Sequence, residues 1–84
     1  MAYEVRITGS AEKELKKLTV GIRNRLYARM LELGEDPRPP GVKKLEGEEL
    51  YRVRVGDFRI IYSIQDKELI VLIVKIANRK EAYR

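Results

Sequence analysis

The sequence predicts an α+β fold: one small domain over residues 1–84, ordered β-α-α-β-β-β, with a helical hairpin packed on one face of a mostly antiparallel sheet. Three observations carry this. The chain opens on a segment that alternates apolar and polar residues. Two segments of helical periodicity follow, and three prolines then separate them from strand-like runs. A chain of 84 residues has room for one core and no more.

Tyr3, Val5 and Ile7 alternate with Glu4 and Arg6, the pattern of a strand with one buried face. Thr8-Gly9-Ser10 breaks it, and Ser10 is placed to cap the helix AEKELKKL, whose apolar stripe is Ala11, Leu15 and Leu18. Thr19-Val20-Gly21 separates this from IRNRLYARMLEL, where Ile22, Leu26, Met30 and Leu33 recur at helical spacing. Gly34 is expected as the C-terminal cap, and Pro37, Pro39 and Pro40 forbid continuation. Residues 41–49 read as a loop or a short lead-in strand. Two strands follow, Leu50–Val55 and Phe58–Ile64, then a turn over Gln65–Glu68. The run ELIVLIVKIA is apolar on both faces, which predicts a central strand with Ile70, Leu72, Val74 and Ile76 on one face and Leu69, Val71 and Ile73 on the other. The tail, NRKEAYR, is polar.

The hairpin LYRVRVGDFRIIY raises the functional question. Gly56-Asp57 suits a two-residue turn, which pairs Val55 with Phe58, Arg54 with Arg59, Val53 with Ile60 and Arg52 with Ile61. Tyr51, Val53, Val55, Phe58, Ile60 and Tyr62 then share the face that packs on the helices. Arg52, Arg54 and Arg59 share the other. Like charges directly opposite one another destabilise a sheet by roughly a few tenths to 1 kcal/mol. A phosphate between them turns that repulsion into attraction, because guanidinium forks match phosphate oxygens. Solvated arginines, paired with Asp57 or Glu49, are the plainer alternative. Arg79, Lys80, Tyr83 and Arg84 follow the last strand, near the Gly-Asp end if that strand lies beside Phe58–Ile64. Arginines beside an aromatic ring hold single-stranded RNA by phosphate contact and base stacking. A core-edge ring for Tyr83 and solvated charge for Lys80 and Arg84 are the alternatives there. Lys43 and Lys44 add long-range attraction.

Composition narrows the chemistry. There are 18 Lys and Arg against 13 Asp and Glu, a net charge of +5 that favours polyanions or an acidic partner. There is no cysteine and no histidine, so thiol chemistry, disulfides and the usual neutral-pH acid–base group are excluded. Glu46, Glu48 and Glu49 have no metal-ligand spacing, so neither metal nor cofactor is expected. No signal-like core opens the chain and no run reaches membrane-spanning length, so a cytoplasmic protein without membrane association is expected.

The layout, with KKLEG, LYRVRVGDFRIIY and an apolar strand ending ANRKEAYR, resembles the RelE/ParE toxin superfamily over essentially the whole chain, and its RelE branch more closely. The resemblance implies the toxin of a type II toxin-antitoxin system that enters the ribosomal A site, cleaves mRNA there and is inhibited by a cognate antitoxin protein. The family's basic positions before the turn fall on Arg52 and Arg54, where the best-studied members have lysines. Its arginine after the turn is Arg59, its arginine after the final strand is Arg79, and its C-terminal tyrosine is Tyr83. The implied reaction is attack of a 2′-hydroxyl on the adjacent phosphorus. Arg59 and Arg79 are assigned to the phosphorane oxygens, Arg54 to the leaving 5′-oxygen, and Tyr83 to a base or the 2′-hydroxyl. Arg52, Lys43, Lys44 and Lys80 are assigned to holding the substrate. The alternatives are a ParE-like inhibitor of DNA gyrase and a non-catalytic RNA-binding relative.

Overall fold

Both helices start at a threonine. In the computed structural model, which describes residues 2–78, Thr8 and Thr19 sit in extended backbone and their hydroxyl oxygens accept from the amides of Ala11 (3.3 Å) and Ile22 (3.5 Å). Helix α1 spans Gly9–Lys16 and α2 spans Val20–Glu35. The cap of α1 is therefore Thr8 and not Ser10, because the helix begins one residue after the strand ends. Gly34 also has a different role from the expected cap. It lies inside α2, which ends on Asp36 as its C-cap. A Cβ at position 34 would stand 3.0 Å from both the Tyr3 carbonyl oxygen and Val5 Cγ2. The Tyr3 amide donates to the Gly34 carbonyl at 2.7 Å. Glycine is needed there for close approach of helix and strand.

The strands are β1 (Glu4–Ile7), β2 (Lys43–Lys44), β3 (Tyr51–Val55), β4 (Phe58–Gln65) and β5 (Ile70–Asn78). They form one sheet in the order β1-β5-β4-β3-β2. β1 runs parallel to β5, and every other pair is antiparallel. The doubly apolar strand is central, as its sequence requires. Both helices cover one face. Ala11, Leu15, Leu26, Met30 and Leu33 from the helices meet Val53, Ile60, Tyr62, Val71, Ile73 and Ile76 from the sheet, all almost fully buried.

The expected alternation of β5 holds only for its first half. Ile61 pairs with Lys75 but Tyr62 pairs with Ile73, so Val74 is an extra residue forming a β-bulge. The bulge flips the parity beyond it. Ile76 therefore joins Val71 and Ile73 in the core, and Lys75 and Ala77 turn to the open face. Without the bulge, Lys75 would point into the core, where an ammonium has no partner. Thr8 secures this arrangement. Its amide donates to the Ile73 carbonyl (3.0 Å) and its hydroxyl to the Val74 carbonyl (3.1 Å), while the same oxygen caps α1.

One side chain thus ties β1, α1 and the bulge. Thr8→Val keeps the shape and removes both hydroxyl contacts. We expect it to lower unfolding stability by about 1–2 kcal/mol in urea denaturation, and Thr8→Ser to stay within about 0.5 kcal/mol of the parent.

Candidate RNA-binding site

The open face of the sheet carries a basic concavity. Gly56 has φ of +59°, which suits the first central position of a two-residue type II′ turn. That turn fixes the register: Val55 opposite Phe58, Arg54 opposite Arg59, Val53 opposite Ile60 and Arg52 opposite Ile61. The arginine pair expected from sequence is therefore present. The short β2 adds Lys43 directly opposite Arg52. Lys43, Arg52, Arg54 and Arg59, with Gly41, line a hollow of about 260 Å³. Among the described residues, no carboxylate is in its lining. Among the described residues, no acidic side chain forms an ion pair with Lys43, Arg52 or Arg54. Concentrated positive potential in a concave wall is suited to a phosphate group, which each guanidinium can meet with two N–H donors.

The two neighbouring lysines part company. Lys44 pairs with Tyr51 across β2 and β3, so it takes the parity of the helix-covered face, and its Nζ lies 3.7 Å from Glu49 Oε2. It does not line the hollow. β5 ends with Ala77 opposite Arg59 and Asn78 opposite Phe58, at the turn end of the hairpin. Arg79, Lys80 and Tyr83 lie outside the described residues.

A strap sets the height of one wall. Residues 37–42 cross from α2 to β2, and Gly41, with φ of +88°, makes the corner before Lys43. The Tyr62 hydroxyl donates to the Pro37 carbonyl at 2.7 Å. Burial pushes this phenol up to about 12. Arg38 donates through both terminal nitrogens to Asp66, at 3.3 and 3.0 Å, and the Tyr3 hydroxyl donates to the same carboxylate at 2.7 Å. The Arg38 guanidinium also lies 5.5 Å from the Tyr51 ring centre, and Tyr51 stacks on Tyr62 at 5.9 Å. The hydrogen bonds from Arg38, then Tyr3, hold the Asp66 carboxyl below its ordinary range. Sequence reasoning missed this latch. Its partners are 28 and 63 residues apart and leave no local pattern.

Among the described residues, no cluster of His, Cys, Asp or Glu is arranged to hold a metal ion, and no helix is long and apolar enough to cross a membrane.

Residues 5–83 match the family described as "ParE toxin of type II toxin-antitoxin system, parDE". The chain belongs to the RelE/ParE toxin superfamily. Within it, the relatives are RelE-like. The Mycobacterium tuberculosis protein named toxin RelE is 33% identical, over 98% of this chain and 87% of its own length. The Escherichia coli K12 protein named mRNA interferase toxin RelE is 25% identical, over 98% of this chain and 88% of its own length. The RelE of the archaeal RelE–RelB complex from Pyrococcus horikoshii superposes with a TM-score of 0.83 at 35% identity, covering 94% of this chain and 97% of that one. The protein is thus a RelE-family toxin of the type II toxin-antitoxin class, with the two-helix, five-strand fold of RelE structures.

The latch makes a prediction for this toxin. The lowered Asp66 carboxyl contributes stability that is fully present above the ordinary carboxylate range and is lost as pH falls through its lowered value. Asp66→Asn should lower the melting temperature at neutral pH. The gap to the parent should close as thermal unfolding is repeated at progressively lower pH, through the lowered Asp66 value.

Proposed function

We propose that this RelE-like toxin is a ribosome-dependent mRNA endonuclease acting in the cytoplasm as a single toxin domain. The observation that carries the reading is the convergence of Lys43, Arg52, Arg54 and Arg59 on one hollow with no carboxylate in its lining among the described residues. The relative from Escherichia coli named an mRNA interferase supports it. The RNA 2′-hydroxyl attacks the adjacent phosphorus, leaving a cyclic phosphate and a free 5′-hydroxyl. Arg59 and Arg79 stabilise the charge that builds on the phosphorane oxygens, Arg54 does so at the leaving oxygen, and Arg52 holds the phosphate. Tyr83 stacks on a base or orients the 2′-hydroxyl. Lys44 and Lys80 contribute attraction at longer range. A site with no histidine depends on in-line geometry imposed from outside, and mRNA held in the ribosomal A site has that geometry.

Induced expression followed by mapping of mRNA 5′ ends tests this. Cuts inside translated codons are the expected result, and DNA damage without such cuts would point to a gyrase target. Arg59→Ala and Arg79→Ala should each abolish growth arrest and reduce cleavage at least ~100-fold without loss of folding. A folded variant of either kind that remains fully toxic overturns the assignment.

Several solved relatives are complexes with RelB antitoxins, which supports a cognate antitoxin partner. The open face offers it half-buried Ile61 opposite Arg52, with Ile70 and Leu72 further along the sheet. An acidic amphipathic segment matches that mixture. Hydrogen exchange with and without the antitoxin should show protection on the arginine face or its rim. Protection confined to the outer surface of α1 and α2 would assign inhibition to another route.

A further inference from the structure

Cleavage by 2′-hydroxyl attack needs a proton for the departing 5′-oxygen. A guanidinium holds its protons too firmly to give one up. Arg52, Arg54 and Arg59 can therefore balance charge in the hollow, but none of them can serve as the acid. Among the described residues, no carboxyl, imidazole or phenol lines the hollow. Among the described residues that line it, the group able to transfer a proton is the ammonium of Lys43.

Lys43 reaches the hollow from a different strand than the arginines do. β2 has only two residues, yet its pairing places Lys43 directly opposite Arg52, on the open face, next to the strand that also carries Arg54. Its neighbour Lys44 takes the opposite face and sits beside Glu49. The charged groups that face Lys43 are Arg52 and Arg54 from β3 and Arg59 from β4. Lys43 is exposed and, among the described residues, forms no ion pair with a carboxylate, so its protons are available to a ligand. Its position is not incidental: the Gly41 corner and the Arg38–Asp66 and Tyr62–Pro37 contacts fix the strap that leads into it.

We propose that Lys43 is a catalytic residue, the general acid that protonates the leaving 5′-oxygen. This deepens the nuclease reading above and rests on it. In the step, the bond from the 2′-oxygen to phosphorus forms and the bond from phosphorus to the 5′-oxygen breaks. The 2′-hydroxyl proton passes to water. A proton from Lys43 Nζ passes to the 5′-oxygen, and the resulting amine is reprotonated by solvent. Arg54 steadies the developing charge on the same oxygen and gives up no proton.

The test separates charge from proton donation. Lys43→Arg keeps the charge and removes the transferable proton, and Lys43→Gln removes both. Both are exposed changes on a two-residue strand, and circular dichroism checks the fold. Single-turnover cleavage is measured on programmed ribosomes with mRNA carrying either the natural 5′-oxygen or a bridging 5′-sulfur at the scissile phosphate. A thiolate leaves without protonation. With the natural substrate, Lys43→Arg should bind as the parent does but cleave about 10²–10⁴-fold more slowly. With the 5′-sulfur substrate it should cleave within a few-fold of the parent, and Lys43→Gln should lose binding as well. An arginine variant as fast as the parent on the natural substrate, or equally slow on both, overturns the proposal and leaves the nuclease reading standing. Parent toxin that cuts neither substrate overturns the nuclease reading and this proposal with it.

Discussion

The two-residue turn at Gly56-Asp57 is the constraint on which the site depends. Side chains along a strand alternate, so a turn longer by one residue would reverse the two faces of one strand relative to the other. Arg54 would then face the helices and a core valine would face water. Gly56 takes the left-handed conformation at little cost, and the register follows from it. The same register does two jobs. It sends Tyr51, Val53, Val55, Phe58, Ile60 and Tyr62 against the helices, and it sets Arg54 beside Arg59 on the open face. Burial of the first set holds the second together against its own repulsion.

That repulsion is tolerable because of where the hollow lies. Its cations stand on the open face of the sheet, where water screens them, and not in the core. The core itself contains no charged residue among those described. The strap and its latch then close one side without adding a carboxylate to the lining: Asp66 engages Arg38 and Tyr3 at the end of β4, beyond the far end of the hairpin from its turn. Acidic groups support the wall from outside, so among the described residues the charged side chains lining the hollow are all cationic. Such a concave cationic wall is suited to a phosphate group.

How the parts were legible differs from element to element. Helical periodicity located both helices, but their ends depended on Thr8 and Gly34, whose roles come from β1. Serine at position 10 is as good a cap as threonine at position 8, and only the strand entering the helix decides between them. Glycine at position 34 resembles a terminator in sequence and is in fact a contact point. The bulge at Val74 was invisible because the run from Leu69 to Ile76 is apolar at nearly every position, so either parity satisfies the pattern.

The sequence by itself determined the order of elements, the hairpin register and the face shared by Arg52, Arg54 and Arg59, because these follow from local rules: periodicity, turn chemistry and alternation. Only the tertiary structure decided which lysine joins them. Lys43 and Lys44 are adjacent and chemically identical, and nothing local distinguishes them. The pairing of a two-residue strand with β3, fixed by a strap that reaches Asp66 and Tyr62, turns one into the hollow and the other away. That choice depends on contacts between residues distant in sequence, and such contacts exist only once the chain has closed its sheet.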